Sequence, residues 1–130
     1  MKKLLLLLAV VMTMLSCSDA KRTVMLKYDF QLEVTGAQAT QAQLDAVVAL
    51  FKAKQLPVGP SIAISKETTT EDGQEQLKEL DSDVAGIVTS ALGKVSLDEL
   101  QKLVPAGSSV TYAATHAGTS SMVKAVIFRL

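Results

Sequence analysis

Residues Val24 to Val34 constrain the fold more than any other stretch of the chain. Leu26, Tyr28, Phe30, Leu32 and Val34 alternate with Lys27, Asp29, Gln31 and Glu33. Period-two alternation over that length predicts a strand with one buried face and one wet face. A sheet that is wet on one side carries its helices on the other, which favours two layers over three. Gly36 ends the strand.

The remaining elements follow from periodicity and punctuation. Thr40 to about Lys54 reads as a helix, with Leu44, Val47, Val48 and Phe51 at helical spacing. Thr40 with Gln43 fits a capping box. Pro57, Gly59 and Pro60 break the chain before a second strand, Ser61 to about Thr69. A second helix runs from Asp72 to about Leu92, with Leu77, Leu80, Val84, Ile87 and Val88 as its apolar stripe. Asp72 and Glu75 suit its positive N-terminal end, and Gly93 is expected to stop it. Ser96 and Glu99 make a second capping box, which opens a short third helix. Ser109–His116 and Met122–Leu130 read as a terminal hairpin. The last strand is apolar on both faces, which suits a central place in the sheet.

The order is β-α-β-α-α-β-β. A right-handed crossover in the first β-α-β unit would make its strands parallel, and the final hairpin is antiparallel. The expected fold is therefore α+β: a two-layer domain with a mixed four-stranded sheet and helices on one face.

The start of the chain is different in kind. Met1-Lys2-Lys3 is basic, and Leu4–Leu15 is apolar apart from Thr13. A charged start, an apolar run of about a dozen residues and small residues at its end describe a secretory signal peptide. The run is shorter than the roughly 18 apolar residues of a membrane-spanning helix. The only cysteine, Cys17, stands at its foot. Met14-Leu15-Ser16-Cys17 resembles the signal of a bacterial lipoprotein, in the looser form found in Bacteroidota. Ser16 is the small residue expected before the cysteine. The resemblance implies cleavage before Cys17 and a thioether from its sulfur to a diacylglycerol. By analogy with enterobacterial sorting, Ser18 in place of Asp favours the outer membrane. Two other readings stay open: ordinary secretion with cleavage after Ala20, which would discard Cys17, and an uncleaved anchor. The organisation expected is a signal at 1–16, an acylated cysteine and short tether at 17–23, and one domain at 24–130.

Composition excludes several function classes. The chain has 13 basic and 13 acidic residues. Without Lys2 and Lys3 the balance is 11 against 13, about −2, which gives nucleic acid no basic face to bind. Tryptophan is absent and aromatic residues are few, which is thin for a stacking surface. With one cysteine, no intramolecular disulfide can form.

Candidate chemistry is sparse. His116 is the only histidine. A catalytic role would need a nucleophile and an orienting carboxylate. Ser120 and Ser121 are near in sequence but lie across a turn. Asp81-Ser82-Asp83-Val84-Ala85-Gly86 begins like a calcium loop. Ala85 and Leu92 fail at its fifth and twelfth positions, so it reads as a solvated helix face. The acidic run from Glu67 to Asp83 reads as a solubilising surface. No catalytic residue, metal or cofactor is expected. The expected function is a membrane-anchored lipoprotein of the cell envelope, held by lipid on Cys17. Its non-enzymatic domain would bind another envelope protein. The alternative is a periplasmic or secreted module that binds a small ligand or peptide.

Overall fold

The computed structural model describes residues 21–130. The expected signal and Cys17 lie outside them. Four strands and three helices follow the expected order: β1 (Arg22–Thr35), α1 (Gln41–Ala53), β2 (Gly59–Thr68), α2 (Gly73–Lys94), α3 (Leu97–Gln101), β3 (Ser109–His116) and β4 (Met122–Arg129). The domain is α+β, with the spatial strand order β2-β1-β3-β4. Among the described residues no helix is long and apolar enough to cross a membrane.

The sheet is antiparallel throughout, not mixed. β1 pairs antiparallel with β2, from Arg22 opposite Thr68 to Phe30 opposite Gly59. The reason is length. A parallel crossover must carry the chain back to the start of β1. The 14 residues of β1 span roughly 45 Å at about 3.3 Å each. The 13 residues of α1 cover only about 20 Å. The chain therefore re-enters the sheet beside Phe30 and runs down. The 22-residue α2, about 33 Å long, then returns it to the top, where β3 starts opposite Thr35.

β4 is an edge strand and not a central one. Only Val126 and Phe128 of its side chains are buried, and Ile127 is half exposed. Its second apolar face is therefore an exposed surface.

Helix ends form where the caps predict. The Thr40 hydroxyl accepts from the Gln43 amide at 3.2 Å, and the Gln43 side chain accepts from the Thr40 amide at 3.0 Å. Ser96 and Glu99 repeat the arrangement. Asp72 caps α2 by accepting from the Gln74 and Glu75 amides. Such caps stabilise by about 1 kcal/mol each. Gly93 does not stop α2, which runs one residue further to Lys94.

The core lies between the helices and the inner sheet face. Tyr28, Phe30 and Tyr112 from the strands meet Phe51, Leu80 and Val88 from the helices, all essentially fully buried. Phe51 sits 5.0 Å from Tyr112 and edge-on to Phe128 at 6.1 Å, centroid to centroid. Full burial of each such side chain contributes about 1.5–3 kcal/mol.

Candidate functional site

A polar cluster that reaches into the core joins three elements. Asp81 of α2 stands over β1 and β3. The Tyr28 hydroxyl donates to Asp81 Oδ1 at 2.8 Å. His116 Nε2 lies 3.2 Å from each Asp81 oxygen. The Tyr28 and His116 rings are 5.0 Å apart, centroid to centroid, and tilted by 33°. These two residues are direct cross-strand partners, which explains why both reach the same carboxylate.

Local sequence sets each position. Tyr28 lies on the inner face of β1 by parity with Phe30. His116 lies on the inner face of β3 by parity with Tyr112 and Ala114. Asp81 falls four residues after Leu77 and three before Val84, so it shares their side of α2.

The electrostatics follow from burial. An ionised carboxylate only accepts, so a neutral His116 carries its proton on Nε2 to bond Asp81. Tyr28 has no exposed surface. Burial pushes its hydroxyl well above the ordinary tyrosine range, helped by the bond to Asp81 and the charges of Asp81 and Asp83. Burial raises Tyr112 in the same direction; its hydroxyl donates to the Pro57 carbonyl at 2.6 Å. Both tyrosines are neutral hydrogen-bond donors at physiological pH.

As chemistry, the cluster is a brace. His116 has a carboxylate beside it, and among the described residues no hydrogen bond joins the hydroxyl of Ser120 or Ser121 to its ring. The Ser121 hydroxyl accepts from Thr119 at 3.3 Å. The Ser120 amide donates to the His116 carbonyl at 2.9 Å, a main-chain turn contact. The tyrosine hydroxyl is spent on Asp81.

The stretch that begins like a calcium loop gathers no ligand set: Asp81, Ser82 and Asp83 lie inside continuous helix α2. Asp83 takes Lys66 at 3.2 Å, while Asp81, expected on a solvated helix face, instead turns to Tyr28 and His116 because it shares the side of Leu77 and Val84. In the acidic run, Glu79 accepts from the Thr70 hydroxyl at 2.6 Å. That bond, with one from Thr68, holds its carboxyl below the usual range. Among the described residues no group of three or more His, Cys, Asp or Glu side chains could hold a metal ion. Cys17, the expected lipidation site, lies outside the described residues.

Two surface features were not foreseen. Leu92, Leu97 and Ile127 are each about half exposed. They line one cleft of ≈ 440 Å³ with Val95, Phe128 and Arg129. A second cleft, of ≈ 340 Å³, lies between α1 and the upper part of β1, walled by Leu44, Val48, Leu32 and Pro60. The doubly apolar pattern of β4 signalled the first cleft. Nothing local signalled the second. Comparison with protein-family models, with curated proteins and with solved structures finds no match for this chain.

Proposed function

We propose that this chain is a lipoprotein of the cell envelope, anchored through acylated Cys17, whose small non-enzymatic domain binds another envelope protein. The observation that carries the binding role is the cleft formed by Leu92, Leu97 and Ile127. Leu92 and Leu97, each about half exposed, line it from the helix side, and the edge strand lines it at Ile127 and Phe128. Contiguous exposed apolar surface of this kind marks interaction sites.

Its position supports a protein as the occupant rather than the anchoring bilayer. Ile127 pairs with Thr111, which pairs with Glu33 near the top of β1. That level is roughly 35 Å along the strand from Arg22, at about 3.3 Å per residue. The anchor is at the Arg22 end.

Two measurements test the proposal. The intact mass of the membrane-extracted protein should equal the chain from Cys17 plus acyl groups, and a Cys17→Ala chain should lack them. A photo-crosslinking residue at Leu97 should capture one recurring envelope protein in cells, and Ile127→Asp should abolish the capture. Background capture alone sinks the binding role. The cleft beside α1 favours a second reading, a small-ligand or peptide binder. A thermal shift with a member of a metabolite and peptide panel, lost in Val48→Asp, would support it.

A further inference from the structure

The two edges of the sheet are built differently. In β2, Pro60 has no amide to donate, and Ser61 turns through the left-handed region at φ 52° where the register with β1 breaks. Lys66 and Glu67 charge its other end. Proline, irregular backbone and charge are the usual means of keeping an edge from pairing. β4 has none of them from Ala125 to Phe128. Those residues are uncharged, and the one irregularity in the pairing of β4 lies lower down, beside Ala114 and Thr115.

The register also shows where the main-chain groups of β4 point. The Leu130 amide donates to the Ser108 carbonyl at 2.9 Å, and the Leu130 carbonyl accepts from the Gly107 amide at 3.2 Å. Leu130 thus turns both groups toward β3. Alternate residues of an antiparallel strand do the same, so Phe128 and Val126 also face β3. Ala125, Ile127 and Arg129 turn their amides and carbonyls to the open side. All three residues are exposed, and among the described residues no other main chain bonds them there. The apolar cleft lies against this open side, with Ile127, Phe128 and Arg129 on one wall and Leu92, Val95 and Leu97 on the other.

We infer that the partner docks here as an extended segment, which joins the sheet as a fifth strand along β4. Its apolar side chains fill the cleft at Leu92 and Leu97, and acidic residues flank them. The inference rests on the proposed binding role for the existence of a partner, and on the strand register for its form.

Chemistry selects this occupant. Donors and acceptors repeating along an edge are matched group for group by another extended main chain. Alternate side chains of such a strand share one face, so every second residue meets Leu92 and Leu97. A helix laid in the cleft would satisfy its own main chain and leave the edge open.

Charge sets the flanks. Lys124 and Arg129 bracket the uncharged stretch, and Lys94 ends α2 beside Val95. Among the described residues none of these three cations forms an ion pair. Against them stands Asp98, next to Leu97 in the chain.

A second copy of this chain fits worse. Two β4 strands that pair antiparallel are related by a two-fold axis. Lys124 and Arg129 of the facing strands would then meet as like charges. The Arg22 ends would also point in opposite directions, whereas anchoring at that end directs every copy the same way.

The test uses the full chain in cells, with a photo-crosslinking residue at Leu97. Ala125→Pro removes an outward amide and no large side chain, a change that an edge strand accommodates. It should cut the capture at least tenfold while thermal unfolding stays cooperative. Ala125→Ser keeps the amide and should keep the capture. In the captured complex, the amides of Ala125, Ile127 and Arg129 should exchange hydrogen at least tenfold more slowly than in the free chain. Those of Ala63 and Ser65, on the far edge, should not change. If Ala125→Pro unfolds the chain, exchange alone decides. Capture that survives Ala125→Pro, or outward amides that exchange as in the free chain, overturns the strand addition and leaves the binding role standing. A parent chain that captures only background overturns the binding role, and this inference with it. Capture of a second copy of the chain overturns the foreign strand.

Discussion

Asp81 and His116 are 35 positions apart in the chain and meet at 3.2 Å, with the Tyr28 hydroxyl on the same carboxylate at 2.8 Å. The carboxylate links α2 to β1 and β3 at once. Its removal strands a buried hydroxyl, which costs about 1–3 kcal/mol. Asp81→Ala should therefore destabilise by about 2 kcal/mol, and Tyr28→Phe by about 1 kcal/mol. In the double variant the two losses should not add, with a coupling near 1 kcal/mol, because they remove one bond. Urea unfolding of the four chains measures the cycle. Strict additivity would show that the contact contributes nothing.

The alkaline limb of stability should report the same hydroxyl. The chain has two tyrosines, and both are raised above the ordinary value near 10 by burial first of all. A raised pKa means that the folded state keeps a proton that the unfolded chain gives up. Stability is then fully present below about pH 10 and falls as pH rises above it. Tyrosinate absorbance of the native protein should stay flat to pH 11 and then rise together with unfolding. Tyr28→Phe should flatten the fall. Absorbance that titrates near pH 10 in a folded chain would contradict the burial of both hydroxyls.

Gly36 is set by a neighbour rather than by its own backbone angles. A Cβ there would stand 2.8 Å from the Ser108 hydroxyl oxygen and 3.3 Å from its Cα. Ser108 is buried beside the first residue of β3. Gly36→Ala should cost about 1–3 kcal/mol by overpacking. Ser108→Ala in the same chain should recover part of it, since the closest atom is then gone. Thermal unfolding of the single and double variants decides. A silent Gly36→Ala would mean that the turn simply moves aside.

Much of this fold is legible in the residues, and the gaps have physical causes. The alternation from Leu26 to Val34 and the two capping boxes act locally, so they can be read from short windows. Strand direction is not local. It depends on α1 being shorter than the strand it leaves, and no single residue near Gly59 reports that. The apolar faces of β4 fit a central strand and an exposed cleft equally well; the difference lies in Leu92 and Leu97, about 30 residues earlier. The candidate site was not visible: Asp81 reads as part of a solvated helix face, although its place in the stripe from Leu77 to Val84 turns it toward the sheet. Its partners, Tyr28 and His116, become neighbours only through the pairing of β1 with β3.

Thr115 offers a test of opposite sign. It lies on β3 between Asp29 of β1 and Met122 of β4. It is only 7% exposed, and its hydroxyl has no hydrogen-bond partner among the described residues. A buried hydroxyl without a partner carries its desolvation cost uncompensated. Valine keeps the branched shape that suits a strand and removes the oxygen. Thr115→Val should therefore raise stability by about 1 kcal/mol, a gain of several degrees in Tm for a domain of this size. Thr115→Ser keeps the hydroxyl and loses a methyl group, so it should lower stability. Thermal unfolding of the two variants should thus move in opposite directions from the parent chain. A loss on Thr115→Val would mean that the hydroxyl has found a partner, and a bound water bridging it to Asp29 would be the group to look for.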